Sequence, residues 1–472
     1  MSMHRWRIFV VVLVGGELLL TLGFALHLDE PARRLMWLGW VPVACWVSEI
    51  LPLGIAGLLF PIGGVLLGIV PVREAFTAYA DPIIFLFLGS FLIGRAVEKH
   101  GTAEWMAQRM IRWSFFTRTP YRLTWILGVA VFLMSMWLSN TATTVTLVPI
   151  VLAIGQQIDA RSRPRFLAGT LLLTAYAASL GGTATPVGTP PNLIALGLLE
   201  RMAGWTGPSF LEWVARALPL AGLMFFLIHG WIYLRYLRGM DWHAGIRADT
   251  SAPQLSRDGR VALYAFLALI LLWFGPDLVR HTLGPSHPVS EWLRTHWPAA
   301  VPPVLISWVL FWVPTASGAR MLTPDDLRTI DWDTLLLFGG GLTFGTMAIR
   351  TRLLEQMLAP WLSRAEHLRG FVVFFGVMLA VWVTELISNT ACANLLIPIA
   401  ITVGQDLGIS VWPLVFGVTL GVSMAFMLPV ATPPNAIVFG TGHVRLSEMM
   451  RTGFVADIIS ILVLTGGIAW MI

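Results

Sequence analysis

The sequence predicts an all-α polytopic membrane protein built from two related halves, and three observations lead there. Hydrophobic residues make up 56% of the chain and charged residues 12%, with a mean hydropathy of +0.75, whereas a soluble domain is roughly a quarter charged. Apolar runs of about 20 residues, each long enough to span a bilayer as a helix, recur along the whole length. A β-barrel would show short alternating segments instead. Third, Ser139-Asn140-Thr141 returns as Ser388-Asn389-Thr390, and each triplet is followed by Thr-Pro-Pro-Asn, at 189–192 and 432–435. The second copies are displaced from the first by nearly the same distance. Polar residues and double prolines are costly in hydrocarbon unless they line a cavity, so the duplication points to one site at a repeat interface.

Taken in order, the predicted spans are 8–26, 35–51, 54–70 and 82–98, then a polar amphipathic stretch 99–124. Next come 125–160, 166–200, 217–237, 261–279, 299–314 and 332–349. The last are 370–408, 411–440 and 452–472. His4-Arg5-Trp6-Arg7 before the first run resembles a signal peptide, but His27, Asp29 and Glu30 occupy the cleavage region, so an uncleaved first span is expected. The stretches 125–160 and 370–408 are too long for one crossing, and Ser-Asn-Thr interrupts each near its middle. Each is read as a re-entrant hairpin with the triplet at its tip. The stretches 166–200 and 411–440 are broken by Gly and Pro-Pro sequence and read as discontinuous spans, unwound around 185–192 and 428–435. The result is about eleven crossings plus two hairpins.

An internal N-terminus makes 99–124 (Lys99, Arg109, Arg112, Arg118, Arg122), 161–165 and the arginine-bearing loop 238–260 cytoplasmic, in keeping with the positive-inside rule. Arg33, Arg34 and the arginines of 350–369 run against it. Phe87-Leu88-Gly89-Ser90 with Gly94 parallels Phe338-Gly339-Gly340-Gly341 with Gly345. The first hairpin then opens from inside and the second from outside, an inverted-topology repeat of the kind that places a site at mid-membrane. Four parts follow. Residues 1–124 hold first-repeat spans and an interfacial arm, and 125–237 the first hairpin, broken span and following span. Residues 238–369 hold the cytoplasmic loop, second-repeat spans and arm, and 370–472 the second-repeat hairpin, broken span and last span.

No Arg or Lys lies inside the triplets or the Thr-Pro-Pro-Asn runs. An anion bound there needs neutral donors: Asn amides, Thr hydroxyls and free N–H groups at half-helix N-termini. A bound cation supplies the missing charge, and Ser, Thr, Asn and exposed carbonyl oxygens suit a hard cation such as Na+. A single Ser-Asn-Thr reads as polar glue between helices; the matched pair reads as a site. The net charge of +5 is small and carries no nucleic-acid signature, and none of the ten histidines falls in either motif pair. Cys45 and Cys392 sit in apolar runs and read as reduced core residues. Glu17, near a lipid or dimer contact, and Glu49 read as locally satisfied acids; Glu385, three residues before Ser388, is a candidate proton carrier. The acids Asp325, Asp326, Asp331 and Asp333 raise a Mg2+-dependent lipid enzyme as an alternative. Thr323-Pro324-Asp325-Asp326 reads as a helix start instead, and HExxH and GxSxG are absent. A channel is the other alternative, which inverted repeats with broken helices disfavour.

At this point the chain resembles the divalent anion/sodium symporter family, whose members include sodium-coupled dicarboxylate, citrate and sulfate transporters. The resemblance covers nearly the whole chain. It rests on the paired Ser-Asn-Thr motifs, Ser48-Glu49-Ile50-Leu51-Pro52-Leu53, Ala80-Asp81-Pro82 before Phe87-Leu88-Gly89, and Ser423 to Val438 with Phe426, Pro429, Ala431 and Asn435. Val422 stands where the family pattern prefers a small residue. The resemblance implies a multi-pass protein of the inner (plasma) membrane, a homodimer with a scaffold domain (the spans of 1–124 and 238–369) and a mobile transport domain (125–237 and 370–472) moving as an elevator. It implies one Na+ site at Ser135, Ser139 and Asn140 with the backbone of Gly188, and another at Thr384 and Asn389 with the backbone of Ile387 and Ala431. The substrate is expected against Asn140, Thr141, Thr189, Ser388, Asn389, Thr390, Thr432 and Pro433. The function implied is sodium-coupled uptake of small dianions, C4-dicarboxylates such as succinate, malate or fumarate. A dicarboxylate or citrate exchanger without sodium, and a sodium/sulfate symporter, stand as alternatives.

Overall fold

The computed structural model describes residues 6, 10–16, 18, 27–48, 50–111, 119–205, 207–240, 254–362 and 371–469. Glu17 and Glu49, most of the expected first span, and parts of both arms and of the loop 238–260 lie outside them. The described part of that first span, 10–16, is helical. Ordered secondary structure among the described residues is helical, apart from one isolated bridge between Pro314 and Arg320.

Side-chain caps mark where several of the helices begin. The first half runs α1 (Glu30–Ser48), α2 (Leu53–Gly57), α3 (Leu59–Leu66), α4 (Val72–Thr77), α5 (Pro82–Lys99) and α6 (Thr102–Ile111). It continues with α7 (Pro120–Ser135), α8 (Asn140–Gln156), α9 (Arg163–Thr183), α10 (Pro190–Ala203) and α11 (Phe210–Ile232), which ends in a π-helical turn to Leu237. The second half runs α12 (Arg257–Leu283), α13 (Pro288–His296), α14 (Val301–Leu310), α15 (Trp332–Thr351) and α16 (Leu353–Leu362). Then come α17 (Val372–Thr384), α18 (Asn389–Asp406), α19 (Val411–Gly421), α20 (Pro433–Gly440) and α21 (Leu446–Ala469). The order span, arm, two-helix hairpin, span, break, short helix, span is the same from α5 to α11 and from α15 to α21.

Asp81 caps α5, accepting from Ile83 N at 3.0 Å, and Thr119 caps α7. A proline follows each cap at the first helical position, where no donor is needed. Five described helical stretches are long and apolar enough to cross a membrane: Val72–Lys99, Arg163–Thr183, Phe210–Leu237, Arg257–Leu283 and Leu446–Ala469. Two expected spans come out differently. The run 54–70 is two short helices, because Gly54 and Gly57 bring α2 against the backbone of α15 near Asp333 and Leu337. The run 299–314 is helical only over α14, about 15 Å long, because the chain turns back at the Pro314–Arg320 bridge. The helix α13 was not expected.

Helix α9 is buried along its length. The halves interlock around it: α10 packs on α15 and on α18, while α20 packs on α9 and on α8. At the edge, Asp326 on the 3-10 turn Pro324–Thr329 gathers Lys99 at 2.6 Å and Arg95 at 3.3 Å, both from α5. Burial would raise this carboxyl, but hydrogen bonds from Lys99 and Thr323 outweigh it and hold it below the ordinary aspartate range.

Candidate functional site

Each expected hairpin is present, and each triplet occupies the start of its second arm. Ser139 is the N-cap of α8 and accepts from Ala142 N at 3.1 Å; Ser388 is the N-cap of α18 and accepts from Ala391 N at 3.2 Å. Asn and Thr are the next two helical residues. The Thr-Pro-Pro-Asn runs begin α10 and α20 in the same way: Thr189 and Thr432 hold the cap position, and the prolines fill the first two helical places. The double prolines therefore cost no backbone hydrogen bond.

These four helix starts meet at one cavity of about 740 Å3. Asn140, Thr141, Thr189, Ser388, Asn389, Thr390, Thr432 and Pro433 all line it, so the eight expected substrate residues are brought together from both halves. Each N-terminus carries free N–H groups and the positive end of a helix dipole. Arg95 on α5 also lines the cavity, with Glu98 and Glu104. Sequence reasoning missed Arg95 because it is remote from both motifs; its Nε already meets Asp326 Oδ1 at 3.3 Å.

Of the expected cation ligands, Ser139, Asn140, Gly188, Asn389 and Ala431 line the cavity, whereas Ser135, Thr384 and Ile387 do not. Ser135 and Thr384 sit behind it, fully buried, as the last residues of α7 and α17. Ser135 Oγ donates to Asn140 Oδ1 at 2.7 Å, and Thr384 Oγ1 lies 2.8 Å from Asn389 Oδ1 and 2.6 Å from the Val422 carbonyl. The two halves thus repeat the same hydroxyl-to-amide contact at the same spacing. Thr185, not singled out from the sequence, places its Oγ1 at 2.5 Å from the Met136 carbonyl and 3.1 Å from Gly188 N. A Cβ on Gly188 would lie 2.9 Å from the Met136 carbonyl oxygen, and one on Gly182 would collide with the Asn140 amide. Both glycines are required by this close approach. The expected donors are all oxygen, and Ser135 and Thr384 stand at the negative ends of α7 and α17, which suits a hard monovalent cation.

The breaks are held by side chains whose roles the sequence did not disclose. The Asn192 amide donates to the Thr185 carbonyl at 2.7 Å and the Gly182 carbonyl at 3.2 Å; the Asn435 amide donates to the Ala425 and Leu428 carbonyls at 3.0 Å each. These two asparagines close the unwound segments and are not free to bind an anion. The second break, 422–432, has a further support. Glu385 accepts from the backbone N–H groups of Phe426, Met427 and Leu428 at 2.5, 2.8 and 3.0 Å. Asp457 on α21, fully buried, faces Glu385. As an anion Asp457 finds no donor among the described residues, so its contact with Glu385 is a hydrogen bond only when the pair holds a proton between its carboxyl groups. The acids of 325–333 are dispersed: Asp325 pairs with Arg328, Asp331 caps α15, and Asp333 accepts from Gly54 N. Among the described residues no group of acids, histidines and cysteines could hold a metal ion, and Cys45 and Cys392 are buried free thiols.

Comparison with known proteins agrees with this architecture. The sequence model of a family described as "Citrate transporter" matches residues 43–421 and 289–472. A protein from Haemophilus influenzae named "Uncharacterized transporter" is 30% identical over 90% of this chain and 89% of its own length. The "Sodium-dependent dicarboxylate transporter SdcS" of Staphylococcus saprophyticus is 30% identical, over 89% of this chain and 82% of that protein. Its Staphylococcus aureus namesake is 28% identical over 96% and 89%. Among solved structures, the YdaH transporter of Alcanivorax borkumensis shares the fold, with a TM-score of 0.59, 16% identity and coverage of 87% of this chain and 88% of that one.

Proposed function

The chain belongs to the citrate transporter family, a family of multi-pass membrane transporters, and from that premise we propose that it carries small dianions, C4-dicarboxylates such as succinate, malate or fumarate, into the cell with Na+. One observation carries this reading: four helix N-termini from two interlocked repeats line a single cavity. Free N–H groups and dipole ends there offer an anion distributed positive charge. Asn140 and Asn389 stand between the two chemistries. Their helix starts face the cavity, and their amide oxygens face Ser135 and Thr384. The amide N–H2 of each binds substrate while the oxygen helps hold Na+, and this shared residue couples ion to anion. The first Na+ is held by Ser135, Ser139, Asn140 and the Gly188 carbonyl. The second is held by Thr384, Asn389 and the carbonyls of Ile387 and Ala431. Relatives named for sodium-dependent dicarboxylate transport support this choice of ion and substrate.

In this reading the two hairpins and the two broken spans, within 125–237 and 370–472, form the transport domain. It moves as one body against the scaffold parts 1–124 and 238–369 of a homodimer in the plasma membrane. Citrate is the second reading. The family description favours it, and Arg95 on the cavity wall gives a third carboxylate a cationic partner. The deciding experiment is uptake of labelled succinate, citrate and sulfate into proteoliposomes, with and without an inward Na+ gradient. Succinate uptake that needs Na+ is the expected result; uptake indifferent to Na+ overturns the coupling, and uptake of sulfate alone overturns the substrate.

A further inference from the structure

A second cavity, of about 450 Å3, shares no lining residue with the first. It lies where α9 and α21 begin and α11 ends. These are the ends of three of the stretches long enough to cross a membrane, so the cavity lies at the level of lipid headgroups. Arg163, Arg165, Arg235, Arg445 and His443 line it, with Glu448 as the acid. Among the described residues none of these arginines is paired with a carboxylate. Arg163 donates to the Gln156 and Ile158 carbonyls at the end of α8, and Arg165 to the Arg238 carbonyl at 3.4 Å. Arg235 lies over the Tyr236 ring. Glu448 is engaged by the backbone N–H of Arg445 at 3.1 Å.

The placement of charge is unfavourable as it stands. A helix N-terminus favours acids in its first turn, yet the first turn of α9 carries Arg163 and Arg165 and no acid, and Asp159 just ahead of it accepts from the N–H groups of Arg161 and Ser162. The positive-inside rule accounts for arginines in loops on one side of a membrane. It does not account for four of them, drawn from both halves of the chain, converging on one concave site. An anion with several acceptor oxygens relieves the repulsion, and planar guanidinium groups fit phosphate oxygens two at a time. We propose that this cavity binds a phosphate-bearing anion at the membrane surface, through Arg165, Arg235 and Arg445. An acidic phospholipid headgroup and a free phosphate compound share that chemistry; basic pockets between spanning helices suit the former. The site is separate from the central cavity and stands whichever anion is transported.

The test uses full-length protein in zwitterionic nanodiscs. Thermal unfolding is followed after adding cardiolipin to the bilayer in one arm and inorganic phosphate to the buffer in another. The variants are Arg235→Gln/Arg445→Gln at the site and Arg280→Gln/Arg294→Gln elsewhere, all exposed positions. The wild type and the Arg280/Arg294 variant should be stabilised by the phosphate-bearing ligand. The Arg235/Arg445 variant should need about tenfold more of it, as expected for losing charge-assisted hydrogen bonds. A response to cardiolipin alone identifies a lipid headgroup, and a response to both identifies a general phosphate site. Equal responses of the two variants, or no response of the wild type to either ligand, overturn the proposal.

Discussion

At the scale of single residues, the proposed function makes Asn140 and Asn389 the points where substrate and ion chemistry meet. Replacing Asn140 with Ala strands the Ser135 hydroxyl, and replacing Asn389 removes one of the two acceptors facing Thr384, which keeps the Val422 carbonyl; either change removes a proposed anion donor, at a cost of about 1–3 kcal/mol. Uptake should be abolished while the purified protein keeps its melting temperature within a few degrees; normal uptake by a folded Asn389→Ala protein defeats the assignment. Glu385 makes a different kind of contribution. It satisfies three backbone N–H groups of the second break, so Glu385→Ala leaves buried donors unpaired and should lower the melting temperature. Asp457→Asn retains a donor toward Glu385 and should remain folded. A Glu385→Ala protein as stable as wild type would show that water replaces the carboxylate there.

At the scale of elements, two contacts test how the parts are joined. The first is between α15 and α18, a scaffold span and a hairpin arm in the proposed division. A Cβ on Gly341 would lie 3.3 Å from that of Asn394, near the separation a disulfide requires. Gly341→Cys/Asn394→Cys, in a background without Cys45 and Cys392, should crosslink on oxidation, retain substrate binding and lose turnover. Fully crosslinked protein that transports at the reduced rate would rule out movement of that hairpin as part of a rigid body. The second contact joins α5 to the 3-10 turn through Asp326. Its carboxyl is held below the ordinary range, so the stability it contributes is present at neutral pH. That contribution is lost as pH falls below the ordinary aspartate value and through the folded-state value. Asp326→Asn should cost about 1–3 kcal/mol at neutral pH, discounted because Lys99 and Arg95 are partly exposed. The difference in melting temperature from wild type should shrink on acidification.

At the scale of the whole molecule, the proposed site is tested by its balance of charge. In that reading four helix ends and two cations balance a limited negative charge, so a dianion should be preferred to a trianion, and to a monoanion that leaves the cations' charge unmet. Succinate uptake under a fixed Na+ gradient should therefore fall as external pH drops through the second carboxyl pKa of succinate. A rate that climbs steadily on acidification would indicate the monoanion, or proton rather than sodium coupling. The interlocking of the halves has a physical consequence of its own. Because α10 packs on α18 and α20 on α8, moving either hairpin alone would break its contact with the broken span of the other repeat, so the proposed joint movement keeps both contacts.

The sequence by itself determined the class of the protein, the two hairpins, the two breaks and the residues at the central cavity. These are written in short-range signals: long apolar runs, a serine cap at the head of a helix, prolines in a first turn, and a polar triplet too costly in hydrocarbon to occur twice without use. Only the tertiary structure decided which side chains support those residues. Arg95 reaches the cavity, Asp457 meets Glu385, and four arginines surround a second cavity through contacts between segments far apart in the chain, and no local pattern encodes such distances. Asn192 and Asn435 could be recognised as part of a motif from the sequence, but not as clamps, because the carbonyls they hold become available only when the helix before them unwinds. The shortened runs at 54–70 and 299–314 have the same origin. Their apolar composition suits a full span, and it is the approach of α15 at one and a turn of the chain at the other that ends the helix early.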